Sequence, residues 1–262
     1  MPVLSYLSHE PPVTEAAPPL LIAHGLYGSA RNFNSLGKAY ATNRRVVLVD
    51  MRNHGDSLWS DRMTYADLAA DLAETIDHLF GGPAVVLGHS MGGKAVMALS
   101  LTRPDLVSAL IVADIAPVPY DHSHAGYIDA MLSVDLAHVS RRSDADPALA
   151  EHIPEPSLRS FLLQNLVMEG GRARWRLNLH ALRASLPDLM GWPGEWPEPV
   201  YDGPTLFVNG RASDYVTPDM HPRIRATFPD VAFETLDNAG HWLHAEQPAA
   251  FNSAVVGMLD SL

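Results

Sequence analysis

Three short runs, Leu20–Ala23, Val46–Val49 and residues 84–87, are apolar at every position and built mainly from Val, Ile and Leu. A strand with one wet face would alternate, so unbroken apolar runs of this length predict strands covered on both faces, as in a parallel sheet. Each run stops at chemically loaded residues: His24-Gly25, Asp50, and Gly88-His89-Ser90. Between the second and third runs, Tyr65–Phe80 places Leu68, Leu72, Ile76, Leu79 and Phe80 on one helical face and Asp67, Asp71, Glu74 and Asp77 off it. That spacing predicts an amphipathic crossover helix. A second helix is expected from Ser90 to about Leu101, stopped near Arg103-Pro104, and a further strand over 109–113 that ends at Asp114. Residues 205–208 and Val231–Leu236 read as strands, and 247–262 as a closing helix with Phe251, Val255 and Leu259 inward. Strand and helix alternate, so the predicted fold class is α/β, with a doubly wound, mostly parallel sheet.

Residues 115–200 break the rhythm with helical patterns such as 157–167, several prolines and no convincing buried strand. We read 115–204 as a helical cap, with the Pro-rich stretch 191–204 as its return linker, inserted into a core made of 1–114 and 205–262. An insertion after the strand ending at Asp114 sits above the carboxyl ends of the sheet, where ligands bind in such folds. Cap side chains such as Met131, Phe161, Leu166, Trp175 and Met190 are then expected to govern specificity. No repeat of 20–50 residues suggests a solenoid or propeller.

Composition narrows the function. With 47% hydrophobic and 18% charged residues in 262, the chain has enough apolar surface for a sizeable core. Its 18 Lys+Arg against 30 Asp+Glu give a net charge of -12, which repels phosphate backbones and argues against nucleic acid. Zero cysteines remove disulfides, thiolate zinc sites and cysteine nucleophiles together. The N-terminus lacks a basic segment followed by an apolar one, and no run approaches the ~20 residues of a membrane span. A soluble cytoplasmic protein is expected.

Gly88-His89-Ser90-Met91-Gly92 fits G-x-S-x-G directly after a predicted strand and before a predicted helix, the context of a nucleophile elbow. The turn is too tight for side chains two before and two after the serine, hence the glycines. It would aim the Met91 N–H at a developing acyl oxyanion. A serine hydroxyl needs a base. Of 13 histidines, His241 follows the last strand and precedes the last helix, whereas His244 and His89 are lesser candidates. His122 and His124 form a pair without a carboxylate cluster, a poor metal site, and no cofactor is expected for acyl transfer. Two acids compete to orient the base: Asp214, in the loop after the cap but displaced by one residue from the frequent position at Ser213, and Asp114, at the end of the preceding strand. The turn His24-Gly25-Leu26-Tyr27-Gly28 offers a second oxyanion donor, the Leu26 N–H, and the segment Asp50 to Ser57 is expected to support that turn. Tyr27, Ser213 and Trp242 are placed against the substrate.

HGLYGSARNF, DMRNHGDS, GHSMGGK, ADIAPVPY and NAGHW together resemble the α/β-hydrolase superfamily, and more narrowly its YbfF-like and ABHD11-like esterases, over nearly the whole chain. The resemblance implies that Asp114 is the acid and that Ser213 occupies the serine position of the loop after the cap; Asp214 beside it is a departure. It implies a serine esterase for a small-molecule carboxylic ester of short or medium acyl chain, or a thioester, with a Ser90, His241, Asp114 triad. Rival readings are a cofactor-free perhydrolase, a C–C bond hydrolase or lyase on this fold, and a ligand receptor that kept the triad. Serine rather than aspartate at the elbow disfavours an alkyl-enzyme mechanism.

Overall fold

In the computed structural model, which describes residues 3–12, 17–121, 124–193 and 200–262, the apolar runs are the inner strands of one sheet. The strands are β1 (Tyr6–His9), β2 (Leu20–Ala23), β3 (Val46–Val49), β4 (Ala84–His89), β5 (Val107–Ala113), β6 (Leu166–Glu169), β7 (Arg172–Trp175), β8 (Thr205–Gly210) and β9 (Val231–Leu236). Seven of them form a sheet ordered β1-β3-β2-β4-β5-β8-β9, parallel except that β1 runs antiparallel to β3. β2, β3 and β4 are buried at every residue, because helices cover both faces, and this is why their sequences do not alternate. Register pairs Ala23 with Val49 and with Gly88, Gly88 with Val112, and Ala113 with Val208. The strands therefore end level, and His24, Asp50, Ser90 and Asp114 emerge along one edge.

The helices are α1 (Asn34–Tyr40), α2 (Tyr65–Phe80), α3 (Met91–Thr102), α4 (Ala125–Leu132), α5 (Asp146–Ala150), α6 (Pro156–Leu163), α7 (Leu179–Met190), α8 (His221–Thr227), α9 (Leu243–Glu246) and α10 (Pro248–Leu259). α2 starts in a capping box between Thr64 and Asp67 and stops at Gly81 in the left-handed region, φ 63°. Leu68, Leu72 and Ile76 are fully buried as their spacing requires, while Leu79 and Phe80 are only half-buried at the helix end. Asp71 does not lie on the solvated face. It is completely buried and takes two hydrogen bonds, 2.6 and 2.8 Å, from the Arg52 guanidinium that follows β3. A bidentate partner is what makes a buried carboxylate tolerable. In α10, Phe251, Val255 and Leu259 are buried as expected.

Between β5 and β8 lie α4 to α7 and a hairpin of β6 with β7. The expected helix over 157–167 ends at Leu163, because the chain turns into that hairpin, whose tip Gly170-Gly171 has φ of 57° and 78°. β1 was likewise invisible as a pattern, being a short edge strand with mostly exposed side chains. Residues 194–199 of the expected return linker lie outside the described residues; beyond them Tyr201 anchors to β5 through its hydroxyl, 3.1 Å from the Val107 carbonyl. Among the described residues no helix is long and apolar enough to cross a membrane.

Candidate active site

Ser90 sits between β4 and α3 with φ 53° and ψ -120°, a strained conformation for a residue with a side chain. Its N–H donates to the Ala113 carbonyl, 3.0 Å, which ties the turn to β5. The flanking glycines are a packing requirement. A Cβ on Gly88 would overlap the carbonyl of Gly92, and one on Gly92 would fall 2.6 Å from the His24 carbonyl oxygen and nearer still to that of Ala23. Strand, turn and helix are thus pressed together until the serine hydroxyl is the group left facing outward.

His241 follows β9, and its Nε2 stands 3.0 Å from Ser90 Oγ while its Nδ1 stands 2.8 Å from Asp114 Oδ2. Asp114, at φ 51° directly after β5, is completely buried. Its carboxylate also accepts the Ser213 hydroxyl at 2.5 Å and the Gly210 N–H at 3.1 Å. Asp214 is exposed, and the carboxylate that meets the imidazole is that of Asp114. Because Asp114 accepts at Nδ1, that nitrogen carries the proton and Nε2 is left free to accept from Ser90. Tyr215 stacks on the His241 ring at 3.9 Å and 19°, fixing its plane.

The other histidines have other work. His89 donates from Nε2 to the His241 carbonyl, 2.8 Å, and burial among neighbouring imidazoles pushes its pKa well down. His244 stacks on Phe33 at 4.6 Å; burial lowers it to about 4, and its Nδ1 finds no hydrogen-bond partner among the described residues. His24 accepts the Met51 N–H at Nε2, 3.0 Å, so its Nδ1 is the protonated nitrogen and donates to the Gly25 carbonyl, 2.8 Å. His54 accepts the Tyr27 N–H at Nε2, 3.2 Å, and donates from Nδ1 to the Arg52 carbonyl, 2.9 Å. Burial holds these two at about 4 and about 3, both neutral at pH 7. Asp50 supports the same region by accepting the Ala30 and Asp56 N–H groups at 2.8 and 2.9 Å.

Above Ser90 opens a mostly apolar cavity of about 1060 Å³, its open mouth included. Leu26, Tyr27, Met91 and Trp242 line it, with Phe161 and Met190 from the segment between β5 and β8. Ser213, expected against the substrate, is not among the residues that line this cavity; its hydroxyl donates to Asp114 instead. Met131, Leu166 and Trp175 are buried in the hydrophobic core and do not line the cavity. Unforeseen lining residues are Tyr65, Tyr120, Tyr127 and Lys94. Lys94 stood four residues after Ser90 in a predicted helix, on the same face, and that spacing could have revealed it. Its Nζ donates to the Met190 and Gly191 carbonyls at 3.2 and 2.6 Å and lies 4.7 Å from the Tyr120 ring; burial lowers its pKa to about 7. Among the described residues no group of three or more His, Asp or Glu is placed to hold a metal, and His122 lies outside them.

A hydroxyl, an imidazole and a buried carboxylate in a chain of hydrogen bonds can activate the hydroxyl toward a carbonyl. Comparison with known proteins points the same way. The sequence profile of the alpha/beta hydrolase fold matches residues 18–248. The sn-1-specific diacylglycerol lipase ABHD11 of Mus musculus is 46% identical over 250 residues, 92% of this chain and 81% of the relative. Esterase YbfF of Escherichia coli is 35% identical over 90% of this chain and 91% of its own. A solved marine microorganism esterase superposes with a TM-score of 0.92 at 36% identity, covering 98% of this chain and 99% of that one. The chain belongs to the α/β-hydrolase family, within which it is a carboxylic ester hydrolase of the ABHD11 and YbfF type.

Proposed function

We propose that the protein hydrolyses small carboxylic esters of short to medium acyl chain, thioesters included, through an acyl-enzyme on Ser90. Ser90 Oγ attacks the ester carbonyl while His241 Nε2 accepts its proton, and the Asp114 carboxylate stabilises the imidazolium. The oxyanion accepts hydrogen bonds from the Leu26 and Met91 N–H groups, which sit beside Ser90 in the cavity wall. Collapse of the tetrahedral intermediate expels the alcohol with the proton from His241. Water, deprotonated by the same imidazole, then releases the acid and restores Ser90. The observation that carries this reading is the continuous line from Ser90 Oγ through His241 to Asp114, 3.0 and 2.8 Å. No electron changes hands, so the reaction calls for no cofactor.

The same reading divides the chain into a core of 1–114 and 205–262 and a cap of 115–204 that closes the acyl pocket, with Tyr27, Trp242 and Phe161 against the substrate. A panel of p-nitrophenyl esters of increasing chain length tests it, together with a thioester, a diacylglycerol of the kind the mouse relative's name suggests, and peroxide-dependent bromination. Turnover falling off beyond medium chains, with a fluorophosphonate probe labelling Ser90, is the expected result. Labelling at another serine, or bromination without ester turnover, would overturn the proposal.

A further inference from the structure

Tyr27 is the third residue of the turn that carries Leu26, a turn closed by the Gly28 N–H donating to the Gly25 carbonyl at 2.9 Å. Its φ is 65°, in the left-handed region that this turn position normally reserves for glycine or asparagine. An aromatic residue stays there only where its surroundings hold it. All three of its polar groups are held. The N–H donates to His54 Nε2 at 3.2 Å, the carbonyl accepts from Asn165 Nδ2 at 2.7 Å, and the hydroxyl donates to the His124 carbonyl at 3.1 Å.

His54 belongs to the core, but Asn165 and His124 lie in the segment between β5 and β8. Asn165 follows α6 and is itself buried, 4% exposed. Its carbonyl accepts the Arg176 N–H at 2.8 Å, and Arg176 pairs in turn with Asp56 of the core. Beside it, Gln164 takes a hydrogen bond from Asn32 at 3.0 Å, just past the same turn. The cap thus grips the turn at the residue least able to keep its conformation alone.

We propose that Asn165 is a positioning residue for the oxyanion hole: from the cap it holds Tyr27 in the left-handed region, which fixes the turn presenting the Leu26 N–H. Seating of the cap and completion of the hole become one event. The inference rests on the reading of Leu26 as an oxyanion donor. Without the Asn165 amide, Tyr27 relaxes toward negative φ and the hydrogen-bonded turn loosens, while the apolar walls that bind the ground-state ester stay in place.

The test uses the full chain with Asn165→Ala, the isosteric Asn165→Asp, which lacks the donor, and Asn165→Gln, which keeps it. For Ala and Asp, kcat on a p-nitrophenyl ester is expected to fall ~10- to 100-fold with KM within ~2-fold, as a misplaced transition-state donor requires. The inhibition constant of an alkyl trifluoromethyl ketone, which forms an oxyanion on Ser90, should rise in parallel, and Asn165→Gln should recover part of both. Unchanged kcat and ketone affinity in a folded variant, or a change in KM alone, would overturn the proposal. If neither variant folds, Asn165→Ser, which keeps a polar group there but is too short to hold the Tyr27 carbonyl, must move kcat and ketone affinity together, and their constancy refutes the coupling. A ketone that fails to inhibit the wild type, or that binds Ser90→Ala equally well, defeats the underlying site reading instead.

Discussion

Replacing Asp114 by asparagine changes one atom of a fully buried side chain and leaves its shape intact. The outcome follows from the three donors aimed at it: His241 Nδ1 and the Ser213 hydroxyl at Oδ2, and the Gly210 N–H at Oδ1. If the new amide nitrogen faced Gly210, two N–H groups would oppose each other in the interior, at a cost of about 1–3 kcal/mol. The easier orientation turns the nitrogen toward His241, while the Ser213 hydroxyl rotates to accept. His241 must then accept at Nδ1 and carry its proton on Nε2, where it donates to Ser90 and no longer takes its proton. With the wrong tautomer and no negative charge behind the imidazolium, kcat is expected to fall by ~10²-fold or more, at least ~2.7 kcal/mol of transition-state stabilisation. Asp214→Asn alters an exposed carboxylate and should cost less than ~10-fold. Single-turnover acylation by p-nitrophenyl acetate, read beside the melting temperature of each variant, separates chemistry from folding. Near-normal acylation by a folded Asp114→Asn enzyme, with Asp214→Asn crippled, would refute the assignment.

Ser90→Ala, His241→Ala and the double variant should all lose ~10³-fold or more of kcat to a similar final rate, because the two residues act as one unit; a double variant far slower than either single one would separate them. Gly92→Ala presses a methyl group against the Ala23 and His24 carbonyls and should destabilise by about 3 kcal/mol or prevent folding, measurable by urea denaturation. His24 and His244, held near 4, and His54, near 3, refuse protons that the unfolded chain accepts from pH 6.5 downward. Stability is therefore complete above pH 6.5 and declines as pH falls toward 4, seen as a falling melting temperature. His244→Phe, which removes one such group beside Phe33, should flatten that decline, and an unaltered slope would show that His244 is not among its causes.

The inner strands and α2 were legible because their signal is periodic: full burial forces every residue of β2 and β3 to be apolar, and one buried face forces Leu68, Leu72 and Ile76 into register. Features set by single contacts carried no such signal. Asp71 looks like any solvated acid of an amphipathic helix until Arg52 is brought onto it from the loop after β3. The β6–β7 hairpin contributes two four-residue strands to a sheet of their own, too short to show a period. In the site, Ser90 was readable from its glycines, whereas Tyr215 and Asn165 act through stacking and hydrogen bonds that depend on distant segments meeting.

The doubt over the acid has a geometric origin. β5 and β8 are parallel neighbours in register, with Ala113 opposite Val208, so Asp114 and the loop after Gly210 leave the sheet side by side. A carboxylate on either could reach the imidazole arriving from the end of β9. Had both positions carried one, two negative charges would have shared a dry site, and one would have taken up a proton. Here the loop after β8 brings a hydroxyl instead: Ser213 donates to Asp114, and its Oγ in turn accepts the Tyr215 N–H at 3.2 Å. That second bond orders the residue whose ring stacks on His241. The neutral side chain thus supports the charged one and helps align the His241 ring, while Asp214, one residue further on, is turned out to solvent. Local spacing could not choose between the strands, because their ends meet at the same point.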